Sequence, residues 1–156
     1  MAGYGTDQGL TDYAATVGYT IPDGATLAVA RQLGSDYVDG LYGDRFPGEP
    51  TGGIEQERAW PRTGATIDGS TLAGDVIPSR VVNASYEAAM LQMTTPGILT
   101  KTFTPGERKV LTEVKGIKWE VVGSDAGAPP VVVSTTIEGM LAPLLLLRNI
   151  PSILVV

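Results

Sequence analysis

The sequence of 156 residues contains neither cysteine nor histidine. Disulfides, thiolate nucleophiles, imidazole acid–base catalysis and the common zinc sites are therefore excluded. Charged residues are sparse, at 18 % of the chain. Eleven basic and seventeen acidic residues give a net charge of −6. This balance weighs against a free-standing nucleic-acid-binding protein, because neutralising phosphates requires a basic surface.

Long uninterrupted apolar runs are missing as well. The first residues, MAGYGTDQGLTDY, are polar and predict no secretory signal. The final stretch, MLAPLLLLRNIPSILVV, is apolar, but Pro143, Arg148 and Pro151 interrupt it. It falls short of the ~20 apolar residues that a membrane span requires. We therefore expect no transmembrane helix and no membrane partner.

Catalytic constellations are not evident among the remaining polar residues. Glu55 and Glu57 point away from each other on a short predicted helix. Asp36 and Asp39 share a helical face, where we predict that they are solvated or meet a partner's basic group, with a divalent ion as the alternative. The glycine-rich GDRFPGEPTGG lacks the Gly-Lys-Ser/Thr ending of a phosphate loop. We predict that the protein is not an enzyme and has no cofactor and no metal.

The most informative stretch is residues 58–94, which opens with the corner Trp60-Pro61-Arg62. A residue before proline is pushed out of the helical region, so a preceding helix must end at Trp60. One interpretation is a structural corner, in which Trp60 plugs a small core and Arg62 covers it. The other is a Trp–Arg pair at a protein–protein contact, since both types are favoured in interface hot spots. The two interpretations are compatible.

The spacing of apolar residues predicts mainly helices. Ala84, Ala88 and Ala89 are small enough to let a neighbouring helix come close to the helix that contains them. The chain is expected to begin with a mobile or partner-ordered arm over residues 1–12 and an extended stretch Ala14–Ile21. A helix then runs from an Asp23 cap to about Tyr42, and one or two helical turns follow in Ile54–Trp60. The next helix covers 78–94, with Pro78 in its first turn and a stop at Thr95-Pro96-Gly97, and a last helix, Ile137–Leu147, is divided at Pro143.

Residues from about 98 to 122 change to an alternating pattern, which predicts two or three short strands, such as a hairpin. The run Lys101–Lys118 holds five of the eleven basic residues, with Phe103 and Trp119 nearby. It is the one stretch that resembles a nucleic-acid-binding face. A solvated hairpin edge is the more economical interpretation, because lysines discourage edge-to-edge pairing.

Several segments together resemble one known family. They are SDYVDGLYGDRFPG, AWPRTGA, IPSRVVNASYEAAM, GIKWEVV and IEGMLAPLL, which span roughly residues 24–147. In this order they are similar to the head-to-tail connector or adaptor (neck) proteins of tailed bacteriophages. Some members carry the label "DnaT-like single-stranded-DNA-binding protein". The segment before Ile21 is short and glycine-rich, and departs from that family.

The resemblance implies a fold and a role. The fold class would be mainly α (α+β): a small helical bundle with a short β-hairpin or strand arm and extended N- and C-terminal arms. The domains would be an N-terminal arm over 1–22, an adaptor domain over 23–147 with its β segment at about 98–122, and a docking tail over 148–156. Copies would form a ring, typically a dodecamer, beneath the portal protein in the virion neck, after assembly in the cytoplasm of the bacterial host.

Such a ring would extend the DNA channel and dock the next neck or tail protein. Double-stranded DNA would pass through without specific binding, which suits an acidic wall. An exposed apolar tail is soluble only when it docks on its own domain or on a partner. By analogy with the family, the residues that contact the portal or a neighbouring subunit are Leu144, Leu145, Leu146, Leu147, Ile150, Ile153, Leu154, Val155 and Val156.

Two alternatives stay open. A single-stranded-DNA-binding protein of phage replication would use Lys101–Lys118 with Trp119 to neutralise and stack a strand. A tail-completion protein would differ from an adaptor only in the partner that it contacts.

Overall fold

The computed structural model describes residues 2–67, 69–99 and 134–146, together with two short strands at 113–114 and 117–118. Within these ranges there are four α-helices: α1 (Asp7–Val17), α2 (Leu27–Tyr42), α3 (Ser79–Thr94) and α4 (Thr135–Leu141). Helices α2 and α3 form the centre of the fold, with α1 against both and α4 against α3. This confirms the prediction of a small, mainly helical α+β fold.

The β structure consists of short antiparallel pairs. Strand β1 (Glu49–Pro50) pairs with β2 (Arg62–Thr63), and β3 (Thr66–Ile67) pairs with β4 (Ser70–Thr71). Strand β5 (Glu113–Val114) pairs with β6 (Ile117–Lys118), with Glu113 opposite Lys118. The predicted hairpin is therefore present over these four residues, and the rest of the expected β segment lies outside the described ranges.

The N-terminal segment differs from its prediction. Thr6 caps α1, because its hydroxyl accepts a hydrogen bond from the Gly9 N–H at 2.9 Å. Leu10 and Ala14, one helical turn apart, are fully buried. The expectation of a mobile arm followed by an extended stretch is wrong for residues 2–17, since this apolar stripe gives a glycine-rich segment a helical face to bury.

Helix α2 begins later than predicted, and the short helix after it is smaller than expected. Gly24 has φ of +77°, which is incompatible with a helix, so Thr26 rather than Asp23 occupies the N-cap position. The end of α2 at Tyr42 agrees with the prediction. Of the turns expected in Ile54–Trp60, a single 3₁₀ turn at Gly53–Glu55 forms.

The later helices follow their predictions closely. Pro78 sits at the N-cap of α3, one position before the expected first turn, and the helix ends at Thr94 with Thr95 as its C-cap. Pro143 divides the last helix as expected: α4 ends at Leu141 and a 3₁₀ turn, Ala142–Leu144, follows.

Among the residues that the structure describes, two clusters of buried side chains make up the core. The first surrounds Trp60 and Tyr42 and includes Ile137, Leu141 and Leu144 from the last helical segment. The second lies between α1, α2 and α3 and includes Leu10, Tyr86 and Met90. Small residues permit close packing of α2 on α3, as predicted: a Cβ added to Gly34 would lie 2.3 Å from the Ser85 carbonyl oxygen, and Ala84, Ala88 and Ala89 are fully buried.

Candidate protein-interaction surface

The Trp60-Pro61-Arg62 corner lies inside the protein. The Trp60–Pro61 peptide bond is cis, and the Trp60 side chain is 1 % exposed. Its ring meets Phe46 edge-on, with 5.5 Å between ring centroids. The Trp60 N–H donates to the Tyr4 hydroxyl at 3.1 Å. Trp60 therefore fills the first core cluster, as one interpretation predicted, and its ring is not accessible to another protein.

Arg62 is 8 % exposed and is held by backbone carbonyls. Its Nε donates to Pro47 O at 2.8 Å, and its two terminal nitrogens donate to three more carbonyls. These are Gly48 O at 2.6 Å, Ala59 O at 3.1 Å and Phe46 O at 3.3 Å. Among the described residues no carboxylate forms an ion pair with Arg62. Burial accordingly lowers the pKa of its guanidinium. Arg62 thus fastens the 46–48 turn to the corner.

Arg58 joins the N-terminal segment to α2. One terminal nitrogen donates to Asp36 at 2.6 Å and to Asp39 at 3.2 Å, and Nε donates to Ala2 O at 3.0 Å. Its guanidinium carbon lies 5.6 Å from the centroid of the Tyr4 ring, a cation–π distance. The Tyr4 hydroxyl donates to Asp39 at 2.5 Å.

This network corrects the prediction for the two aspartates. Asp36 and Asp39 both pair with Arg58 of their own chain rather than with a partner's basic group, and the Asp36 side chain stays 45 % exposed to solvent. Burial raises the pKa of Asp39 even though Tyr4 and Arg58 donate hydrogen bonds to it. Among the residues that the structure describes, no cluster of acidic side chains has the composition of a metal site.

Sequence reasoning missed a buried carboxylate on α3. Glu87 is 4 % exposed, and each of its oxygens accepts one tyrosine hydroxyl: Tyr19 at 2.8 Å and Tyr13 at 2.9 Å. Burial and the bond to Glu87 raise the pKa of Tyr13, and the bond to Glu87 is the main cause of the raised pKa of Tyr19. No local spacing shows that these tyrosines reach Glu87 from 68 and 74 positions away.

An apolar groove runs between α2 and the C-terminal half of α3. One part, of about 390 Å³, is lined by Leu33, Tyr37, Leu41, Gln92 and Leu99 together with Asp36 and Gly40. A second part, of about 400 Å³, shares Leu33 and Gln92 and extends to Val29, Met93 and Pro96 beside the start of α2. We call these two parts together the α2–α3 groove. It is a surface of the kind that binds a peptide segment.

The predicted interface residues divide into buried, exposed and undescribed positions. Leu144 is buried in the first core cluster and Leu145 packs against it, so the structure corrects the expectation that Leu144 contacts a partner. Leu146 is 55 % exposed, and its N–H donates to Arg45 O at 2.7 Å. The remaining predicted residues lie outside the described ranges: Leu147, Ile150, Ile153, Leu154, Val155 and Val156.

The electrostatics of the described part do not favour nucleic acid. Every lysine of the chain lies between residues 101 and 118, where no side chain is described. Arg58 and Arg62 are bound internally. Arg31 is also bound internally: it forms a 2.7 Å ion pair with Asp7 and donates hydrogen bonds to the carbonyls of residues 3, 4 and 5. Meanwhile acidic residues such as Asp12 and Glu57 are exposed. The described surface is therefore acidic.

No helix in the described ranges has the length and apolar character needed to cross a membrane. The predicted nucleic-acid-binding segment, Lys101–Lys118 with Trp119, lies outside those ranges apart from strands β5 and β6.

A comparison with protein-family models finds a family that this chain matches. The family model described as "Putative DnaT-like ssDNA binding protein" matches residues 3–153. No curated protein and no solved structure matches the chain at a significant level.

Proposed function

The chain belongs to this DnaT-like family, whose model covers nearly all of its length; from its acidic described surface and the resemblance of its segments to neck proteins, we propose that it is a structural virion protein of a tailed bacteriophage. Its role is that of a head-to-tail adaptor. Copies assemble into a ring, typically of twelve, beneath the portal protein, and the ring extends the DNA channel. The chain carries out no catalytic reaction and has no membrane partner.

The observation that carries this proposal is that three arginines donate hydrogen bonds to other groups of the same protein. Arg31, Arg58 and Arg62 donate hydrogen bonds within the protein itself, to Asp7, Asp36, Asp39 and backbone carbonyls. A protein that grips DNA needs such groups at its surface for the phosphates. An acidic wall lets double-stranded DNA slide past without specific binding.

The apolar features of the chain support contacts with other proteins. The α2–α3 groove and the exposed Leu146 are surfaces that a partner covers in an assembly. The partners in this proposal are the portal, neighbouring copies and the next neck or tail protein. Assembly takes place in the cytoplasm of the bacterial host, and the mature location is the virion neck. A tail-completion role differs only in which partner is bound.

Native mass spectrometry of the protein alone and mixed with the portal of its phage tests this proposal. We expect a monomer alone and a defined multiple of the subunit on the portal. If the protein does not bind the portal but is retained on single-stranded DNA, the adaptor role is contradicted.

The second candidate is a single-stranded-DNA-binding protein of phage replication, and the description of the family favours it. The five basic residues of Lys101–Lys118, with Trp119, are the groups available for this task. Fluorescence anisotropy of a labelled oligonucleotide at low and high salt measures the binding. Under this second function, Lys109→Gln with Lys115→Gln weakens binding and reduces its salt dependence, while the exposed control Arg80→Gln on α3 leaves both unchanged.

A further inference from the structure

A cavity of about 360 Å³ lies beside the buried carboxylate of Glu87. Its floor is formed by the buried residues Glu87 and Met90, and the exposed residues Thr20, Thr94 and Thr95 lie at its mouth. We call this cavity the Glu87 pocket. Its volume falls within the range of small-ligand sites, roughly 300–1,000 Å³.

The floor of the Glu87 pocket carries a negative charge. Each oxygen of Glu87 accepts one hydrogen bond from a neutral hydroxyl, that of Tyr13 or Tyr19. An ionised carboxylate has about four acceptor positions, so these bonds leave acceptor capacity unused and do not neutralise the charge. Among the residues that the structure describes, ion pairs form at Arg31 and Arg58, and neither involves Glu87. A buried charge of this kind favours a ligand of opposite sign.

Two helix ends add to the negative potential of the pocket. The C-cap residues of α1 and α3, Gly18 and Thr95, both line it. The C-terminus of a helix carries a partial charge of about −0.5, which attracts cations. Neither helix has a basic residue in its last turn. The carboxylate and the two helix ends therefore all favour a cation in this cavity.

The lining of the pocket selects among cations. A hard metal ion needs several oxygen ligands, and no cluster of acidic side chains is present in the described ranges. A guanidinium binds best as a fork on both carboxylate oxygens, but each oxygen of Glu87 already accepts a hydroxyl. An ammonium group is compact, and its aliphatic stem packs on apolar side chains such as Met90 and Leu91.

We propose that the Glu87 pocket binds a primary aliphatic ammonium group, with the nitrogen at Glu87 and the stem against Met90 and Leu91. This chemistry is shared by a lysine side chain of another protein and by a free alkylamine. The inference does not depend on the proposed function, because it rests on the charge and the lining of the pocket alone.

Nuclear magnetic resonance titration of the full chain with n-butylammonium chloride tests the proposal, at constant ionic strength. The neutral control ligand is 1-butanol, which has the same number of heavy atoms. The test variant is Glu87→Gln, which keeps the shape of the side chain and removes its charge. The matched control is Glu57→Gln at an exposed position. Circular dichroism checks that each variant is folded.

We expect saturable shifts of the Gly18 and Thr95 amide signals with n-butylammonium, and a loss of affinity of roughly tenfold or more in Glu87→Gln. Glu57→Gln should bind like the parent. Equal affinities for n-butylammonium and 1-butanol overturn the proposal, as does an unchanged affinity in Glu87→Gln or the absence of saturable shifts.

A second ligand distinguishes the two sources of the ammonium group. Nα-acetyl-lysine N-methylamide carries the lysine side chain on a short piece of backbone. If it binds at least as tightly as n-butylammonium, the pocket accepts a lysine of another protein. If n-butylammonium alone binds, the ligand is a free alkylamine. Both results support the ammonium site.

A variant at the mouth of the pocket keeps the test decisive if Glu87→Gln does not fold. Thr94 is exposed and lies about two helical turns after Glu87 on the same face of α3. Helical side chains lean toward the N-terminus, so the ammonium of Thr94→Lys points back to Glu87. We expect Thr94→Lys to bind n-butylammonium roughly tenfold more weakly than Thr94→Gln, since a charged group then occupies the site. Equal binding to these two variants overturns the proposal.

Discussion

Arg62 and Glu87 are both buried charges without an opposite charge among their described partners, yet the protein stabilises them in different ways. Arg62 donates to carbonyls that lie 3 to 16 positions away along the chain. Glu87 accepts hydrogen bonds from the hydroxyls of Tyr13 and Tyr19, which lie 74 and 68 positions earlier in the chain. The first site is a local turn that folds around its own arginine. The second exists only when α1 and the residues after it have packed on α3.

The two sites also differ in what fails when they are disturbed. A buried charge is costly unless hydrogen bonds satisfy it. The acceptors of Arg62 are main-chain atoms, which no substitution removes. The donors to Glu87 are side chains, which single substitutions and alkaline pH remove. The corner should therefore tolerate changes around it and fail when Arg62 itself is lost, whereas the Glu87 site has several weak points.

The largest effect is expected from Arg62→Ala. This change leaves four carbonyls without their donor, two of them in buried hydrogen bonds, and we expect a loss of about 3–5 kcal/mol in the free energy of unfolding. Urea denaturation measures it. The exposed Arg80→Ala should change stability by no more than about 0.5 kcal/mol. Equal effects of the two substitutions would show that the carbonyl cage is unimportant.

Glu87→Ala should have a smaller effect, about 2–3 kcal/mol, because it leaves two hydroxyls without an acceptor but one of them, on Tyr19, is near solvent. The same urea titration applies, with the exposed Glu57→Ala as the matched control. Glu87→Leu combined with Tyr13→Phe should recover part of the loss, since both partners are then apolar. If that double variant is less stable than Glu87→Leu alone, the hydrogen bond is not the source of the effect.

Alkaline pH should separate the two sites. The pKa values of Tyr13 and Tyr19 are raised in the folded state, so their contribution is fully present below the unfolded value of about 10 and declines as pH rises above it. Thermal unfolding between pH 8 and 11 should show a decline that is shallower in Tyr13→Phe/Tyr19→Phe than in the parent. The pKa of Arg62 is lowered in the folded state, so this group adds no loss of stability as pH rises from 8 to 11. An unchanged slope in the double variant would refute the assignment.

Deleting residues 150–156 should have the smallest effect on the fold. The described hydrogen-bond partners of Arg62 and Glu87 all lie between Tyr13 and Ala59, so we expect both sites to persist and the unfolding free energy to fall by about 1 kcal/mol or less. Attachment to the portal should be lost under the proposed function, as a pull-down would show. An unfolded deletion variant would make the segment part of the core.

Sequence reasoning succeeded where the signal is local. The Pro78 start and the Thr95-Pro96-Gly97 stop delimit α3, and a proline after Trp60 forces the corner whatever surrounds it. The division at Pro143 follows from the same chemistry. These elements need no information about distant residues.

Sequence reasoning failed where contacts between residues distant in the chain determine the local structure. Glycines around residues 3–9 suggest a loose arm, but Gly5 and Gly9 are small so that the Tyr86 hydroxyl can approach them closely. The burial of Glu87 depends on Tyr13 and Tyr19, and the pairing of Asp36 and Asp39 depends on Arg58, 19 to 22 positions away. None of these partners follows from periodicity in one segment.

The bond between Tyr86 and Thr6 has a consequence for synthesis on the ribosome. The Thr6 N–H donates to the Tyr86 hydroxyl at 2.9 Å, across 80 positions of the chain. Translation makes α1 first, but its binding surface on α3 does not leave the exit tunnel until about eighty more residues have been added. During that interval Leu10 and Ala14 lack the cover of α3. Helix α1 therefore waits through this whole interval for its contact with α3.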